Sequence, residues 1–260
     1  YLGHLLGNES SGSLLALLKS LGWAESLAAG ELYQSRRDSL FGVTITLTKE
    51  GVKAKDQIVS AVFDFLGTIA QRGVSEWRFT EMQQIAEMNY RFRDKKAAMD
   101  TAMELSQSMH DYPAQDVLWG DYAYTEFNEA LLKQALGYLR KDNLFVSLVS
   151  PDVATQSSSS FYKTEFLVAS GISDILDLKL VYHQKLWLPE RNIFIPKNFL
   201  LKTSSMLSMQ EAKAVPTLLV NDDQLKLWFL QDKKFRSPKA ELNFRFKLPV
   251  LNNSLENAAR

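Results

Sequence analysis

The most constraining feature of this sequence is a change of apolar period near residue 48. Between residues 41 and 47, Phe, Val, Ile and Leu alternate with Gly and Thr, which is typical of a strand with one buried face. From residue 49 to the break at Arg72 and Gly73, the apolar residues recur at helical spacing. This spacing predicts a helix of about twenty residues that packs on the sheet. A strand followed by a long amphipathic helix favours an α+β fold.

Further elements are predicted on both sides of this pair. Leucines over residues 14–21, after Gly12 and Ser13, predict a short amphipathic helix, and residues 23–30 are predicted to be a connection of small residues. A second long helix is predicted over 75–98, with an apolar core stripe. The remaining predictions are helical segments at 99–109, 115–120 and 124–140 and a strand at 144–149 that is closed by Pro151.

The chain changes character after Pro151. Residues 1–152 are predicted to form one domain, and residues 153–220, with a serine run and three prolines, an extended linker with apolar anchors. Residues 221–260 are predicted to begin a second α+β domain, with strand candidates at Leu227, Phe229, Leu242, Phe244 and Phe246. The predicted fold class is α+β, a mostly antiparallel sheet packed against long helices.

Composition and charge exclude several functional classes. The 30 basic and 30 acidic side chains give a formal net charge of zero, so no overall field attracts a polyanion. The absence of cysteine excludes thiolate nucleophiles and thiolate metal ligands within these residues. The apolar runs are too short to cross a membrane, and there is no glycine-rich phosphate loop.

Residue patterns for hydrolytic chemistry are also missing from these 260 residues. His4, His110 and His183 are far apart, and no HxxEH or HExxH pair occurs, so a zinc site built from this chain alone is not expected. The glutamates of the helix at 75–98 are interpreted as a solvated face. Ser157–Ser160 is interpreted as a loop, since no base motif accompanies it.

Several segments, in order over about 250 residues, resemble one family of proteins. They are YLGHLLGNESSGSLLALLKSLGWAESLAAG, EWRFTEMQQIAEMNYRFRDK, YPAQDVLWGDYAYTEFN, LRKDNLFVSLVSPD, NIFIPKNF and LWFLQDKKFRSPKAELNFRF. The chain is similar in these segments to the insulysin and pitrilysin (insulinase) family of inverted-zincin metallopeptidases. The resemblance implies a fragment that covers most of the inactive second domain and the start of the third. The first and last residues also predict a piece of a longer chain.

The resemblance carries expectations about chemistry and partners. In the family, zinc lies in the first domain on an HxxEH helix with a distal glutamate, so the parent protein is expected to hold zinc and to hydrolyse peptides. The fragment alone is predicted to be inactive and to hold no cofactor. Its expected partners are a peptide substrate and the remaining domains of the same polypeptide, with no membrane and no nucleic acid. Similarity to bacterial relatives suggests a periplasmic location.

The resemblance also implies an exosite that holds the amino terminus of the substrate and pairs it with a sheet edge. One wall comprises His4, Leu6, Gly7, Asn8 and Glu9, and the other comprises Leu27, Ala28, Ala29, Gly30 and Glu31. Small residues let a foreign backbone approach, and glutamates can meet a terminal ammonium group. Glu31, Ala29 and Ser11 stand where relatives often carry glutamine, glycine and proline, which leaves side-chain preference open.

Other interpretations remain open. Gly7 and Gly12 can be ordinary turn glycines, and His4 a hydrogen-bonded core residue. The whole chain can be a structural or interaction module on the same fold, which an HxxEH motif upstream in the parent would argue against. A weaker alternative is single-strand nucleic-acid binding, with salt-dependent affinity, by basic residues among aromatic ones. Those basic residues are Lys226, Lys233, Lys234, Arg236, Lys239, Arg245 and Lys247.

Overall fold

The computed structural model of the protein describes residues 1–35, 37–168, 182, 185–201, 215–231 and 237–246. The chain forms two compact units. The first unit comprises Tyr1–Arg91 and Lys95–Ile195, and the second comprises Phe92–Asp94 and Pro196–Arg260. The residues of the predicted exosite all belong to the first unit.

Two short helices open the first unit. α1 spans Leu2–Leu6 and α2 spans Leu14–Ser20, which confirms the helix predicted over 14–21. Ser13 begins α2, because its Oγ accepts a hydrogen bond from the Ala16 N–H at 3.1 Å and satisfies a donor at the helix end. α1 has no counterpart among the sequence predictions, since Gly3 within it and Gly7 at its end disfavour helix in isolation.

Two long strands follow as an antiparallel hairpin. β1 spans Ala24–Gln34 and β2 spans Ser39–Leu47, with Leu27 opposite Ile45 and Ala29 opposite Val43. β2 confirms the strand predicted over 41–47. The predicted connection over 23–30 is wrong, because most of these residues lie in β1. A run of small residues has a low strand propensity of its own, and pairing with β2 supplies the hydrogen bonds that hold it extended.

The single helix predicted from residue 49 to 72 forms as two helices. α3 spans Lys49–Lys53 and α4 spans Lys55–Arg72, with Ala54 between them. Thr48 Oγ1 accepts a hydrogen bond from the Gly51 N–H at 3.0 Å and donates one to the Gly22 carbonyl at 2.6 Å. This hydroxyl therefore caps α3 and ties its start to the turn after α2.

The core of the first unit combines one face of α4 with the leucines of α1 and α2. Phe65 and Ile69 are fully buried, and they lie one helical turn apart on α4. The other buried members of the cluster are Leu2, Leu5, Leu6, Leu14, Leu15, Leu17, Leu18, Ala24, Leu27, Ile58, Ala61, Leu66, Leu186 and Leu188. Six of these residues belong to the apolar stripes that the sequence predicts, namely Leu14, Leu15, Leu17, Leu18, Ile58 and Leu66.

The later helices are α5 at Glu76–Arg91, α6 at Ala98–Asp111 and α7 at Glu129–Tyr138, with 3-10 turns at Gly120–Tyr122 and Lys141–Asn143. Two of these helices, α5 and α7, are shorter than predicted, whereas α6 is slightly longer. The helix predicted over 75–98 therefore ends near residue 91, and the helix predicted over 115–120 is a set of turns.

The predicted strand over residues 144–149 is wrong. These residues have no regular structure, and the side chains of Phe145 and Val149 are 85% and 94% exposed. Among the residues that the structure describes, no strand pairs with them. A segment with an alternating apolar pattern forms a strand only where a neighbouring strand supplies its main-chain hydrogen-bond partners.

The last part of the first unit crosses the core as an extended segment. We call residues 185–192 the strap. Leu186 and Leu188 are buried in the core cluster, and Trp187 between them is partly exposed. Ahead of the strap, Ser157–Ser158 (β3) and Glu165–Phe166 (β4) form a short antiparallel ladder. Both lie within the predicted linker at 153–220, whose domain boundaries stay predictions.

The second unit contains one hairpin among its described residues. β5 spans Thr217–Asn221 and β6 spans Lys226–Phe229, and the two strands are antiparallel. β6 confirms the strand predicted around Leu227 and Phe229. The other predicted strand is wrong for residues 242–246, which are exposed and have no regular structure. Helices combined with small antiparallel sheets confirm the α+β class.

Candidate functional site

The first wall of the candidate site is α1 with the residue that ends it. Three leucines of α1 are buried in the core and fix the helix in place. His4 lies on the exposed side of the helix. The Gly7 N–H donates a hydrogen bond to the Gly3 carbonyl at 2.8 Å, so the two glycines lie one turn apart. The face of α1 that carries them has no side chain.

This glycine face lies against the backbone of β1. A Cβ atom on Gly3 would lie 2.8 Å from the Ala29 oxygen and 3.0 Å from the Gly30 Cα, and one on Gly7 would lie 3.6 Å from the Ala29 nitrogen. A residue larger than glycine at position 3 would therefore push α1 away from the strand. α1 therefore packs directly on the main chain of β1 at Ala29 and Gly30.

Beyond this contact the edge of β1 is open. Among the described residues β1 pairs with β2 alone, and residues 31–35 are exposed. The register shifts between Glu31 and Tyr33, which marks a bulge. An unpaired edge can accept a strand from another chain. The open edge expected from Leu27 to Glu31 is therefore narrower in the structure, because α1 packs on the main chain at Ala29 and Gly30.

Residues 8–12 lead from α1 to α2 and complete the first wall. Asn8 Oδ1 accepts a hydrogen bond from the Ser10 N–H at 2.9 Å, and the Ser13 N–H donates to the Ser10 carbonyl at 3.0 Å. Glu9 projects from this loop and is exposed. Gly12 has a φ of +81°, a conformation that favours glycine over residues with a Cβ.

The second wall carries negative charge at its open end. Glu31 is exposed, and its Oε1 accepts a hydrogen bond from Ser39 Oγ at 2.7 Å. Burial raises the pKa of Tyr112 to about 12, and a hydrogen bond with Asp121 and the negative charges of Asp121, Asp111 and Glu31 add to this effect. Three carboxylates, one of which is Glu31, therefore act on Tyr112.

The imidazole of His4 favours its neutral form. Partial burial lowers the pKa of His4, and the carboxylate of Glu81 opposes this effect. A neutral imidazole offers one donor and one acceptor and no positive charge. Protonated amines are therefore not repelled by His4 near neutral pH.

The structure divides the predicted site residues into two groups. Leu6 and Leu27 are 0% and 7% exposed, so their side chains pack in the core. Only their main-chain atoms are left for contact with a peptide. Gly7 and Ala29 lie close together, as described above. Asn8 and Glu9 lie in the loop at 8–12, and Ala28 and Glu31 lie along β1. Gly30 lies beside the glycine face of α1. Binding by these residues stays a prediction.

Sequence reasoning did not find Tyr112, on which the charge of Glu31 acts, or its hydrogen-bond partner Asp121. Tyr112 lies after α6 and Asp121 lies in the 3-10 turn at Gly120–Tyr122. Gly120 permits their approach, since a Cβ there would lie 2.5 Å from the Tyr112 ring. The motif YPAQDVLWGDY contains both residues, but neither spacing nor residue type indicates that they interact with each other.

No three His, Asp or Glu side chains that could hold a metal ion converge in the described ranges. His183 lies outside those ranges. The side chains within the described ranges therefore do not fit a zinc site. In the described part of the chain, no helix is both long and apolar enough to cross a bilayer.

The structure describes only some of the basic residues that were considered for binding single-stranded nucleic acid. Lys239 forms an ion pair with Asp94 at 2.9 Å, within the second unit. Lys233, Lys234, Arg236 and Lys247 lie outside the described residues.

Comparison with known proteins places these features in one family. The family model described as "Peptidase M16 inactive domain" matches residues 1–86, and that described as "Middle or third domain of peptidase_M16" matches residues 90–260. The chain is 34% identical over 254 residues to the insulin-degrading enzyme of Bos taurus, covering 96% of this chain and 24% of that protein. It is 30% identical over 269 residues to a nardilysin-like protein of Arabidopsis thaliana, covering 99% of this chain and 26% of that protein.

A solved structure shows the same fold. The crystal structure of pitrilysin matches with a TM-score of 0.70 and 21% identity, over 90% of this chain and 25% of that chain. The chain thus spans about a quarter of the length of the proteins it matches. The resemblance predicted from the sequence is confirmed, and the chain belongs to the insulinase (M16) family of metallopeptidases, within which it corresponds to the inactive and middle domains.

Proposed function

We propose that this chain is a non-catalytic part of a zinc metalloendopeptidase, where it forms part of the chamber wall and binds the amino terminus of a peptide substrate. Its similarity to an inactive peptidase domain supports a role other than catalysis. In the proposed parent protein, zinc and its ligands belong to residues outside this chain. That zinc would supply the activated water for peptide-bond hydrolysis.

One observation carries the binding proposal. The glycine face of α1 meets the backbone of β1 at Ala29, and the edge of β1 continues open from Glu31. A peptide in extended form can add to such an edge through main-chain hydrogen bonds. Because the bonds involve main-chain atoms, this mode tolerates many peptide sequences.

The charged residues indicate the orientation of the bound peptide. Glu9 and Glu31 are exposed at the two walls, and Asp111 and Asp121 act together with Glu31 on Tyr112. An ammonium group forms stronger hydrogen bonds with a carboxylate than a neutral amide does. The proposal therefore assigns the amino terminus of the peptide to the end of the site near Glu31.

Calorimetry with two matched peptides tests this proposal. A peptide with a free amino terminus should bind about five times more tightly than its acetylated form, since an exposed ion pair contributes about 1 kcal/mol. Replacing Glu31 by glutamine should remove most of this difference. Absolute affinity should be weak, because the ordering of a flexible peptide offsets much of the gain.

The matched control is Glu25→Gln. Glu25 lies on the same strand and is also exposed, so it controls for the loss of one negative charge. The control should keep the full preference for the free amino terminus. Equal affinities of the two peptides for the unmodified protein would reject the ammonium contact.

The alternative, a structural or interaction module without a peptidase, has its own test. An HxxEH motif with a downstream glutamate elsewhere in the parent polypeptide would support the peptidase. A parent without that motif would favour the interaction module, even if the chain binds peptides.

A further inference from the structure

The strap contacts the loop of the candidate site through Trp187. The main-chain N–H of Trp187 donates a hydrogen bond to the Gly12 carbonyl at 3.0 Å. The indole ring covers the Cα of Gly12 so closely that a Cβ at this position would overlap ring atoms. Gly12 is the last residue of the loop at 8–12 and directly precedes the cap of α2.

The position of the strap is fixed by groups outside this loop. Leu186 and Leu188, on either side of Trp187, are 3% and 5% exposed and belong to the core cluster. The guanidinium of Arg78 donates to the Pro189 carbonyl at 3.1 Å, and the Asn192 N–H donates to Glu81 Oε1 at 3.2 Å. The strap is therefore held by α5 and by the core.

Ahead of the strap, one more contact fixes the same path. The Tyr182 N–H donates to Asp64 Oδ2 at 2.7 Å, and Asp64 is buried in α4. The ring of Trp23 meets the ring of Tyr182 edge-on, with centroids 6.1 Å apart. The path of the chain on both sides of Trp187 thus depends on α4 and α5.

The loop, in contrast, is held by local hydrogen bonds at Asn8 and Ser10 and buries few side chains. Glu9, Ser10 and Ser11 are exposed, and none of them has an apolar side chain to bury. Short polar loops with few buried contacts open locally at low free-energy cost. The contact of Trp187 with Gly12 is the point at which a rigid segment meets this loop.

We infer that Trp187 is a positioning residue for the peptide site: by packing on Gly12, it holds the loop at 8–12 in the conformation that completes the first wall. This inference rests on the proposed function for its effect on peptide binding. Its effect on the loop stands independently, because loop order can be measured without a peptide.

Hydrogen exchange on the unliganded protein is the first test. In Trp187→Ala, amides of residues 8–12 should exchange about tenfold faster. The loop can then open without losing the contact with the indole ring, so the free energy of local opening is lower. Trp187→Phe should restore most of the protection, because an aromatic ring still covers Gly12. Unchanged exchange at residues 8–12 in Trp187→Ala would overturn the inference.

Two further variants separate loop positioning from general loss of packing. Trp77→Ala removes another tryptophan of the same unit, one whose ring lies 4.8 Å from the Arg191 guanidinium of the strap. It should leave the exchange at residues 8–12 unchanged. Gly12→Ala should reproduce the effect of Trp187→Ala, because the added Cβ displaces the indole from its place. A response of the loop to Trp77→Ala equal to that of Trp187→Ala would count against a specific contact.

Peptide affinity is the second test. For the free-amino peptide, Trp187→Ala should weaken binding about three- to tenfold, because the loop must be ordered at the time of binding. Faster loop exchange with unchanged affinity would show that the contact is structural only and would overturn the positioning role. If the unmodified protein binds no peptide, the proposed function fails, while the exchange result still decides whether Trp187 orders the loop.

Discussion

At the scale of single residues, Gly51 and Gly67 both lie in helices but differ in the space that is available for a Cβ atom. A Cβ at Gly51 would overlap the Trp23 carbonyl, whereas a Cβ at Gly67 in α4 would have nothing within 4 Å. Gly51→Ala should destabilise the protein by about 1–3 kcal/mol, because α3 must move away from that carbonyl. Gly67→Ala should stabilise it by about 0.5–1 kcal/mol through the higher helix propensity of alanine. Urea denaturation measures both, and effects of the same sign would contradict this assignment.

At the scale of elements, α4 carries the largest side chain of the core. Phe65 is fully buried, so Phe65→Ala should lower the free energy of unfolding by about 3–5 kcal/mol through lost burial and a cavity. Phe145 is 85% exposed and is the matched control, for which Phe145→Ala should change stability by less than about 0.5 kcal/mol. The midpoints of chemical denaturation measure both. A loss below about 1 kcal/mol for Phe65→Ala would show that α4 is not central to the core.

At the scale of the whole molecule, the two units differ in how much they bury. On β6, Leu227, Trp228 and Phe229 are 45–59% exposed, whereas α4 contains several fully buried residues. A two-stranded hairpin with little burial is only marginally stable. Hydrogen exchange followed by mass spectrometry should therefore show fast exchange in β5 and β6 and slow exchange in α4. Protection of the hairpin equal to that of α4 would contradict this expectation.

Much of the first unit follows from local patterns. The leucines at 14–21, the alternation at 41–47 and the stripe after residue 49 each predict an element that the structure contains. The same reasoning fails at residues 23–30 and 144–149. The first segment is a strand because β2 pairs with it, and the second is not a strand because no described strand does. Strand formation depends on a distant partner, which a local pattern does not contain.

The sequence by itself determined the amphipathic helices, the α+β class and the family, because each is recorded in residues that are close together or in a fixed order along the chain. Only the tertiary structure decided that α1 packs on the main chain of β1 at Ala29, that Asp121 and Glu31 both act on Tyr112, and that Trp187 lies on Gly12. These contacts join segments far apart in the chain. Their energies depend on distances and on burial, and both are set only when the core has formed.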